Sequence, residues 1–412
     1  MDIDPQYRPM GVAVKYNPHL WSDDELRDIF VVRQEQLQEL IDRIRSTSSD
    51  ITPQATLLVG ARGMGKTTLL RRLAVAIREN PDLDKLWLPL TFPEEQYTVS
   101  TLAEFWRNVL DSLIDALEHS GETHPEVAEL DRRVREISDA AITDQASQAL
   151  SVITEWCETH QRRLILLIDS TDLLLESLRN TASPSTNKRK SPTKSTPKKG
   201  DDTALWQLRK TLLQTRCLMW VGATYQSLES HHAYDDAFHD FFDLIDLAPL
   251  NISDMQKALL ALARRFGMQG INRPDEAEEK MRKELSERPE RLEALRTLTG
   301  GNPRTTAILY ELFAAAPDGD LRGDLHALLD LMTPLYKARM EQLSEQPRKV
   351  LAHVMEAWAP VSLRDIANAA GIASKASDSV VRFAETSKIT PISPRVPRVR
   401  DTKGLVARND TA

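Results

Sequence analysis

The sequence predicts an α/β fold, in which a parallel β-sheet flanked by helices is followed by an all-helical region and a small C-terminal domain. The first observation is a glycine-rich turn between a short apolar run and an amphipathic helix, at residues 56–80. The second is a pair of uninterrupted apolar runs, at 163–168 and 217–224. Apolar runs without alternation are typical of strands buried on both faces, as in parallel sheets. The third is that from residue 253 onward only helical periods remain.

The glycine-rich turn has the spacing of a phosphate-binding loop. Residues 60–67 match G-x-x-x-x-G-K-[ST], the P-loop pattern, with a helix directly after it. Glycines let backbone amides converge on phosphate oxygens, and the positive end of the helix faces the same point. Lys66 is expected to reach the β- and γ-phosphates of ATP, and the Thr67 hydroxyl to bind Mg²⁺. The predicted nucleotide contacts are Gly60, Ala61, Arg62, Gly63, Met64, Gly65, Lys66, Thr67 and Thr68.

The two later apolar runs end in residues that suit the chemistry of a P-loop site. Asp169 follows the first run, and in P-loop folds such a strand ends at the metal. We therefore expect Asp169 to hold Mg²⁺ through water, opposite Thr67. Thr224 ends the second run and is placed to touch the γ-phosphate or the attacking water. The sequence thus predicts a metal site formed by Thr67 and Asp169.

The helical region contains one arginine in an unusual place. Residues 299–304 form a turn that opens onto a helix, and Arg304 lies in the first turn of that helix. A cation there opposes the helix dipole, so an external anion is its expected partner. The alternative is an ordinary surface arginine.

Composition sets limits on the class of protein. The 412 residues carry a net charge of −8 and are 41% hydrophobic and 28% charged, which is typical of a globular protein with several domains. The acidic balance argues against wholesale coating of nucleic acid and leaves a regional contact open. Two cysteines, Cys157 and Cys217, are too few for a disulfide framework or a four-ligand zinc site. With no signal-peptide pattern and no apolar run of about 18 residues, we expect a cytoplasmic protein.

Shifts in composition predict five segments. The lysine-rich insertion has too few apolar residues to fold, and its cations either track a phosphate backbone or are simply solvated. In the C-terminal domain, Ala367 and Gly371 have the spacing of a helix-turn-helix. The predicted segments are an N-terminal arm at 1–25, an α/β ATPase domain at 26–250 with a disordered basic insertion at 181–203, a helical lid at 251–335, a winged-helix-like domain at 336–390 and a basic flexible tail at 391–412.

The order of these parts resembles AAA+ ATPases of the branch shared by origin-recognition initiators, archaeal-type ATPases and STAND signalling ATPases. The resemblance covers about residues 26–390. Residues 30–37 are similar to the F-x-G-R-x-x-E-L segment that lies against the nucleotide base in that branch, with Val32 in place of the glycine and Gln36 in place of the acid. Residues 168–172 resemble its Walker B motif, D-E-h-D, in which Asp169 and Asp172 match.

Further positions follow from the same resemblance. Ser170 stands where the relatives carry the acid that activates water, so either Asp172 takes over or hydrolysis is slow. Thr224 resembles sensor 1, and residues 301–304 resemble the sensor 2 corner, whose lid arginine reports the γ-phosphate. Two arginines before the sensor 1 strand, Arg209 and Arg216, are candidates for a finger that reaches a neighbouring subunit.

The resemblance implies an ATP-binding switch, with slow ATPase turnover, that couples nucleotide state to DNA binding or to assembly. The expected partners are ATP, double-stranded DNA at the C-terminal region, and a second copy or another protein in a nucleotide-dependent oligomer, without a membrane. The alternative is a STAND-like regulatory or defence scaffold whose winged helix contacts protein and which hydrolyses slowly or not at all. The candidate catalytic residues are Asp169, Asp172, Thr224 and Arg304.

Overall fold

The computed structural model divides into two compact units, Met1–Asp330 and Leu331–Ala412. The predicted arm up to residue 20, the insertion between 182 and 202, and the predicted winged helix and tail, apart from 348–349, lie outside the described residues. The structure describes residues 21–48, 50–92, 99–118, 125–181, 203–225, 236–268, 270–271, 273–315 and 348–349.

The described elements alternate between strands and helices up to residue 246 and are helical after it. In chain order they are α1 (Asp23–Ile29), α2 (Gln34–Ser46), β1 (Thr56–Val59), α3 (Lys66–Glu79), α4 (Pro81–Leu86), β2 (Trp87–Thr91), α5 (Leu102–Glu118), α6 (Glu126–Asp139), α7 (Ile142–His160), β3 (Arg163–Ile168), α8 (Thr171–Thr181), α9 (Thr203–Gln214), β4 (Leu218–Thr224), β5 (Asp243–Asp246), α10 (Ile252–Phe266), α11 (Pro274–Glu287), α12 (Pro289–Thr299) and α13 (Pro303–Ala315).

The five strands form one parallel sheet in the order β2-β3-β4-β1-β5. Successive residues of β3 pack into different apolar clusters: Leu164 and Leu166 belong to one, whereas Ile165 belongs to the other. Side chains alternate across a strand, so the two clusters are the two faces of the sheet. The uninterrupted apolar run of β3 therefore reflects burial on both faces, as predicted.

Helices cover both faces of the sheet. The cluster on one face includes α5 and α7, with Trp106 and Trp156 buried among apolar side chains, as expected for core tryptophans. The cluster on the other face includes α2 and the apolar side of α3. Cys157 is buried and Cys217 half-buried against the first cluster, and both are free thiols. Hydrogen bonding to Cys217, together with burial, raises the pKa of Cys157 above its ordinary value.

Several element boundaries differ from the sequence expectation for local reasons. The helical periods between Ser22 and Ile44 belong to two helices, because Arg33 adopts a left-handed conformation with φ 67° that interrupts them. The sequence also indicates a strand at 84–92, but the strand β2 begins only at Trp87, since Asn80 caps the short helix α4 first. The predicted boundary at residue 25 falls inside α1, whose capping box of Ser22 and Glu25 is present as expected.

The lid helices begin and end at recognisable signals. In the sequence, residues 253–256 have the form of a capping box with its cap at Ser253. Asn251 instead caps α10 by accepting from the Asp254 amide at 2.8 Å, so this prediction is wrong by two residues. Gly267 ends α10, and Pro289 begins α12, as expected. Among the helices that the structure describes, none combines the length and the apolar composition that a membrane crossing requires.

Candidate nucleotide-binding site

Three predicted site residues lie at the carboxyl edge of the sheet because three strands end there. Val59, the last residue of β1, lies opposite Thr224, the last residue of β4. On the other side of β4, Ile168 of β3 lies opposite Gly222. The P-loop after β1, Asp169 after β3 and Thr224 therefore follow one another along a single edge. Open parallel sheets bind ligands at this edge.

The P-loop backbone depends on its glycines. Gly63 and Gly65 have φ values of 87° and 88°, in the left-handed region that favours glycine. Gly65 immediately precedes the first residue of α3, so the loop runs directly into a helix N-terminus. Met64 anchors the loop, because its side chain is 5% exposed and packs in the cluster on the α3 face. The backbone amides of the loop therefore lie at the N-terminus of α3, where the helix dipole is positive, as the spacing predicted.

Lys66 lies folded over the loop that precedes it. Its Nζ donates to the carbonyl oxygen of Gly60 at 2.7 Å and to that of Ala61 at 3.3 Å. The ammonium group is thereby held at the centre of the loop on a half-buried side chain. A compact cation in this position can serve oxygen atoms of a bound polyphosphate.

The two predicted metal ligands are in contact. The Thr67 hydroxyl donates to Oδ2 of Asp169, while Oδ1 of the same carboxylate accepts from the Ser170 amide at 2.9 Å. Thr67 is in the first turn of α3 and Asp169 follows β3, so sheet topology alone brings these oxygen atoms together. Ser170 has a left-handed backbone with φ 53°, which is uncommon for a residue with a Cβ.

Asp172 lies in the first turn of α8. Burial raises the pKa of this carboxyl above its ordinary value, although hydrogen bonds from the backbone of Leu173 and Tyr225 and the charge of Lys66 oppose that rise. Tyr225 directly follows Thr224, which is fully buried. A carboxyl group with a raised pKa near a phosphate loop has the properties of a general base.

The lid contacts the P-loop through residues 299–304, which we call the lid corner and which comprise the end of α12, the turn after it and the first residues of α13. Nδ2 of Asn302 donates to the carbonyl oxygen of Arg62 at 3.0 Å. The Arg304 amide donates both to the carbonyl oxygen of Gly63 at 3.2 Å and to Oδ1 of Asn302 at 2.9 Å. A Cβ on Gly63 would lie 2.7 Å from Oδ1 of Asn302, so this approach requires glycine.

The sequence profile of the AAA ATPase domain matches residues 29–188, a range that holds the P-loop and the Asp169 turn. Residues 29–188, which we call the AAA domain, are similar to that family. This match and the geometry of the loop support nucleotide binding. Among curated proteins, none is significantly similar in sequence to this chain.

Solved structures share the fold. The Walker-type ATPase PABY2304 of Pyrococcus abyssi is 13% identical and has a TM-score of 0.53, with 86% of this chain and 89% of that chain covered. Two Aeropyrum pernix structures are more distant. ORC1 in complex with DNA is 13% identical with a TM-score of 0.43, over 88% of this chain and 85% of that chain. ORC2, in ADPNP–ADP complexes, is 13% identical with a TM-score of 0.45, over 87% and 80%. The first similarity confirms the predicted P-loop NTPase fold.

The residues of this AAA domain fit a nucleotide with a divalent metal. Mg²⁺ prefers oxygen ligands, and the Thr67 hydroxyl and the Asp169 carboxylate already lie together. Within the described part of the chain, no group of three or more His, Cys, Asp or Glu side chains could hold a metal by itself. A Mg²⁺ ion at Thr67 would therefore take its remaining ligands from phosphate and water, as is usual for this ion.

The segment expected beside the nucleotide base packs near the P-loop of the AAA domain. Phe30 is buried in the same cluster as Met64. The Arg33 guanidinium donates to the carbonyl oxygen of Ala248, close after β5, and burial lowers the pKa of Arg33 below its ordinary value. Its Nε is buried without a hydrogen-bond partner. The structure thus brings this segment beside the residues that follow β5.

One of the two proposed finger arginines is used inside its own domain. Nη1 of Arg209 donates to the carbonyl oxygen of Ala237 at 2.6 Å and to that of His239 at 3.0 Å, and its guanidinium lies over the Phe241 ring at 5.2 Å. These contacts hold the segment before β5. Arg216 is exposed and stays a prediction.

Sequence reasoning named Asn302 as part of the lid corner but gave it no role. The structure makes it the side chain that links the lid to the P-loop. The available signal was a polar residue between two glycines and a proline, because Asn side chains in turns often hydrogen-bond nearby backbone. The partner of its amide, Arg62, is distant in sequence and carried no matching signal.

Proposed function

We propose that this chain is an ATP-dependent switch, in which ATP and Mg²⁺ bound at the P-loop change the position of the lid and thereby control DNA binding or assembly. The observation that carries this proposal is the direct contact of the lid corner with the P-loop at Arg62 and Gly63. A ligand that alters the loop must then act on the lid, which provides the differential interaction that a switch requires. A cytoplasmic location fits this role.

The proposal gives each site residue a task. Lys66 binds the β- and γ-phosphates, while Thr67 and Asp169 hold Mg²⁺, which offsets charge on the phosphates when bound. Asp172 accepts a proton from the attacking water, and Thr224 contacts that water or the γ-phosphate. Arg304 meets the γ-phosphate from the lid. The supporting observation is that the loop, Asp169, Thr224 and the lid corner meet at one sheet edge.

The DNA part of the proposal draws its support from the sequence alone, through the predicted winged helix and basic tail. We expect the full-length chain to retain a mixed-sequence DNA duplex, with an affinity that changes when ATP and Mg²⁺ are added. Affinity should fall steeply between about 50 and 200 mM salt, because phosphate contacts release counterions. Fluorescence anisotropy of a labelled duplex measures both effects. An affinity indifferent to ATP contradicts the coupling, and absence of retention at low salt removes DNA as the partner.

Ser170 favours the second candidate, a STAND-like scaffold that binds ATP, hydrolyses it slowly or not at all, and contacts another protein. An uncharged hydroxyl orients water poorly compared with a carboxylate. In this reading the winged helix packs on protein and the ATP-bound state persists.

Replacing Ser170 with glutamate tests which of the two candidates holds. If the second candidate holds, the base is missing, and Ser170→Glu should raise the steady-state rate of phosphate release by on the order of tenfold or more, because a general base commonly contributes about 100-fold or more. Ser170→Ala is the matched control, since it keeps a Cβ in the same backbone but adds no base. If Asp172 already acts as the base, Ser170→Glu leaves the rate unchanged while Asp172→Asn abolishes it.

A further inference from the structure

The four carbonyl groups of the P-loop from Gly60 to Gly63 all have hydrogen-bond donors, and the donors come from two sources. Lys66 serves the first two carbonyl oxygens from within the loop. The lid corner serves the other two: Asn302 at Arg62, 3.0 Å, and the Arg304 amide at Gly63, 3.2 Å. The lid thus completes the hydrogen bonding of the loop.

The bond at Arg62 has a geometric consequence for the next amide. None of the described peptide bonds is cis, so the carbonyl of Arg62 and the amide N–H of Gly63 point in opposite directions. Because Asn302 holds the carbonyl on the lid side, the Gly63 N–H is directed away from the lid. The Gly63 amide is one of those that the P-loop spacing assigns to phosphate.

We propose that Asn302 is a positioning residue for phosphate binding: its side-chain amide fixes the Arg62–Gly63 peptide so that the Gly63 N–H faces the phosphate. This inference deepens the proposed function and rests on it. The side chain is suited to the task because it has a donor and an acceptor. Its Nδ2 holds Arg62, while its Oδ1 accepts from the Arg304 amide at 2.9 Å and so fixes the rotamer.

Close packing leaves Asn302 little freedom. A Cβ on Gly63 would lie 2.7 Å from its Oδ1 and 3.1 Å from its Nδ2, whereas a Cβ on Gly65, in the same left-handed conformation, would meet nothing within 4 Å. Nδ2 also lies 3.7 Å from the sulfur of the buried Met64. The lid corner therefore touches one side of the loop and leaves the other side, at Gly65, open.

Two substitutions at Asn302 test the proposal. Asn302→Ala removes both hydrogen bonds without adding charge, and Asn302→Asp keeps the acceptor for the Arg304 amide but loses the donor to Arg62. We expect both to weaken binding of ATP, and of inorganic triphosphate as a probe without a base, by a few-fold to about tenfold, which is the scale on which the loss of one hydrogen bond acts. Isothermal titration calorimetry of the full-length chain measures the affinities.

Thr306→Val is the matched control, because the Thr306 hydroxyl donates to the Asn302 carbonyl oxygen at 3.2 Å, within the lid. It should lower the melting temperature and leave triphosphate affinity unchanged. The proposal is overturned if Asn302→Ala binds triphosphate like wild type, or if Thr306→Val loses as much affinity as Asn302→Ala. A wild-type chain that binds no nucleotide overturns the proposed function instead, so the two failures are distinguishable.

Discussion

Lys66→Ala should lower ATP affinity by on the order of 100-fold, because two charge-assisted hydrogen bonds to phosphate oxygens are lost. In the structure the ammonium group lies 2.7 Å from the Gly60 carbonyl oxygen, at the centre of the loop that would surround the phosphates. No other lysine in the described residues lies in this loop. Binding of a fluorescent ATP analogue, followed by competition with ATP, measures the change.

The substitution also removes two hydrogen bonds within the loop, so its effect on folding must be separated from its effect on binding. Lys85→Ala is the matched control, because Lys85 is exposed on α4 and its substitution removes the same charge. It should leave both affinity and melting temperature unchanged. If Lys66→Ala binds ATP like wild type while remaining folded, ATP is not held by this loop and the central claim of the proposed function is lost.

The sequence predicted the features of the site that depend on local pattern. The glycine spacing of residues 60–65 predicted the loop because positive φ values restrict which residues can stand there. The uninterrupted run before Asp169 predicted a strand buried on both faces. The capping box at Ser22 was also predictable, because its partners are three residues apart.

The features that were not predicted depend on contacts between distant parts of the chain or on a choice between equal local signals. Asn302 and Arg62 are separated by 240 positions, and neither has a pattern that indicates the other. Arg209 was assigned outward, but the aromatic segment before β5 provides carbonyl oxygens that hold it. Asn251 and Ser253 are both residue types that cap helices well. An N-cap residue has a non-helical backbone, and in the structure Asn251 has the extended backbone whereas Ser253 lies inside α10.

Gly301→Ala should destabilise the lid more than any other single-methyl addition in its turn. The Gly301 backbone crosses that of Leu250, whose amide donates to the Gly301 carbonyl oxygen at 2.7 Å. A Cβ on residue 301 would clash with the carbonyl oxygen of Leu250 and lie 3.2 Å from the backbone nitrogen of Leu250. The φ value of Gly301 is 67°. Because both partners are backbone, neither can rotate away. We expect a cost of about 3 kcal/mol or more, from a lost backbone contact together with left-handed strain.

The neighbouring glycine separates strain from close approach. Gly300 has nearly the same conformation, with φ 66°, but a Cβ there meets nothing within 4 Å, so Gly300→Ala should cost only about 1 kcal/mol. Urea unfolding monitored by hydrogen exchange of α13 measures both variants. Since Gly301 positions the lid corner, its alanine variant should also weaken ATP binding, whereas Gly300→Ala should not. Equal effects of the two variants on stability would contradict the predicted clash and show that the backbone at Leu250 moves to accept the Cβ. An unchanged ATP affinity in Gly301→Ala would show that the position of the lid does not affect nucleotide binding.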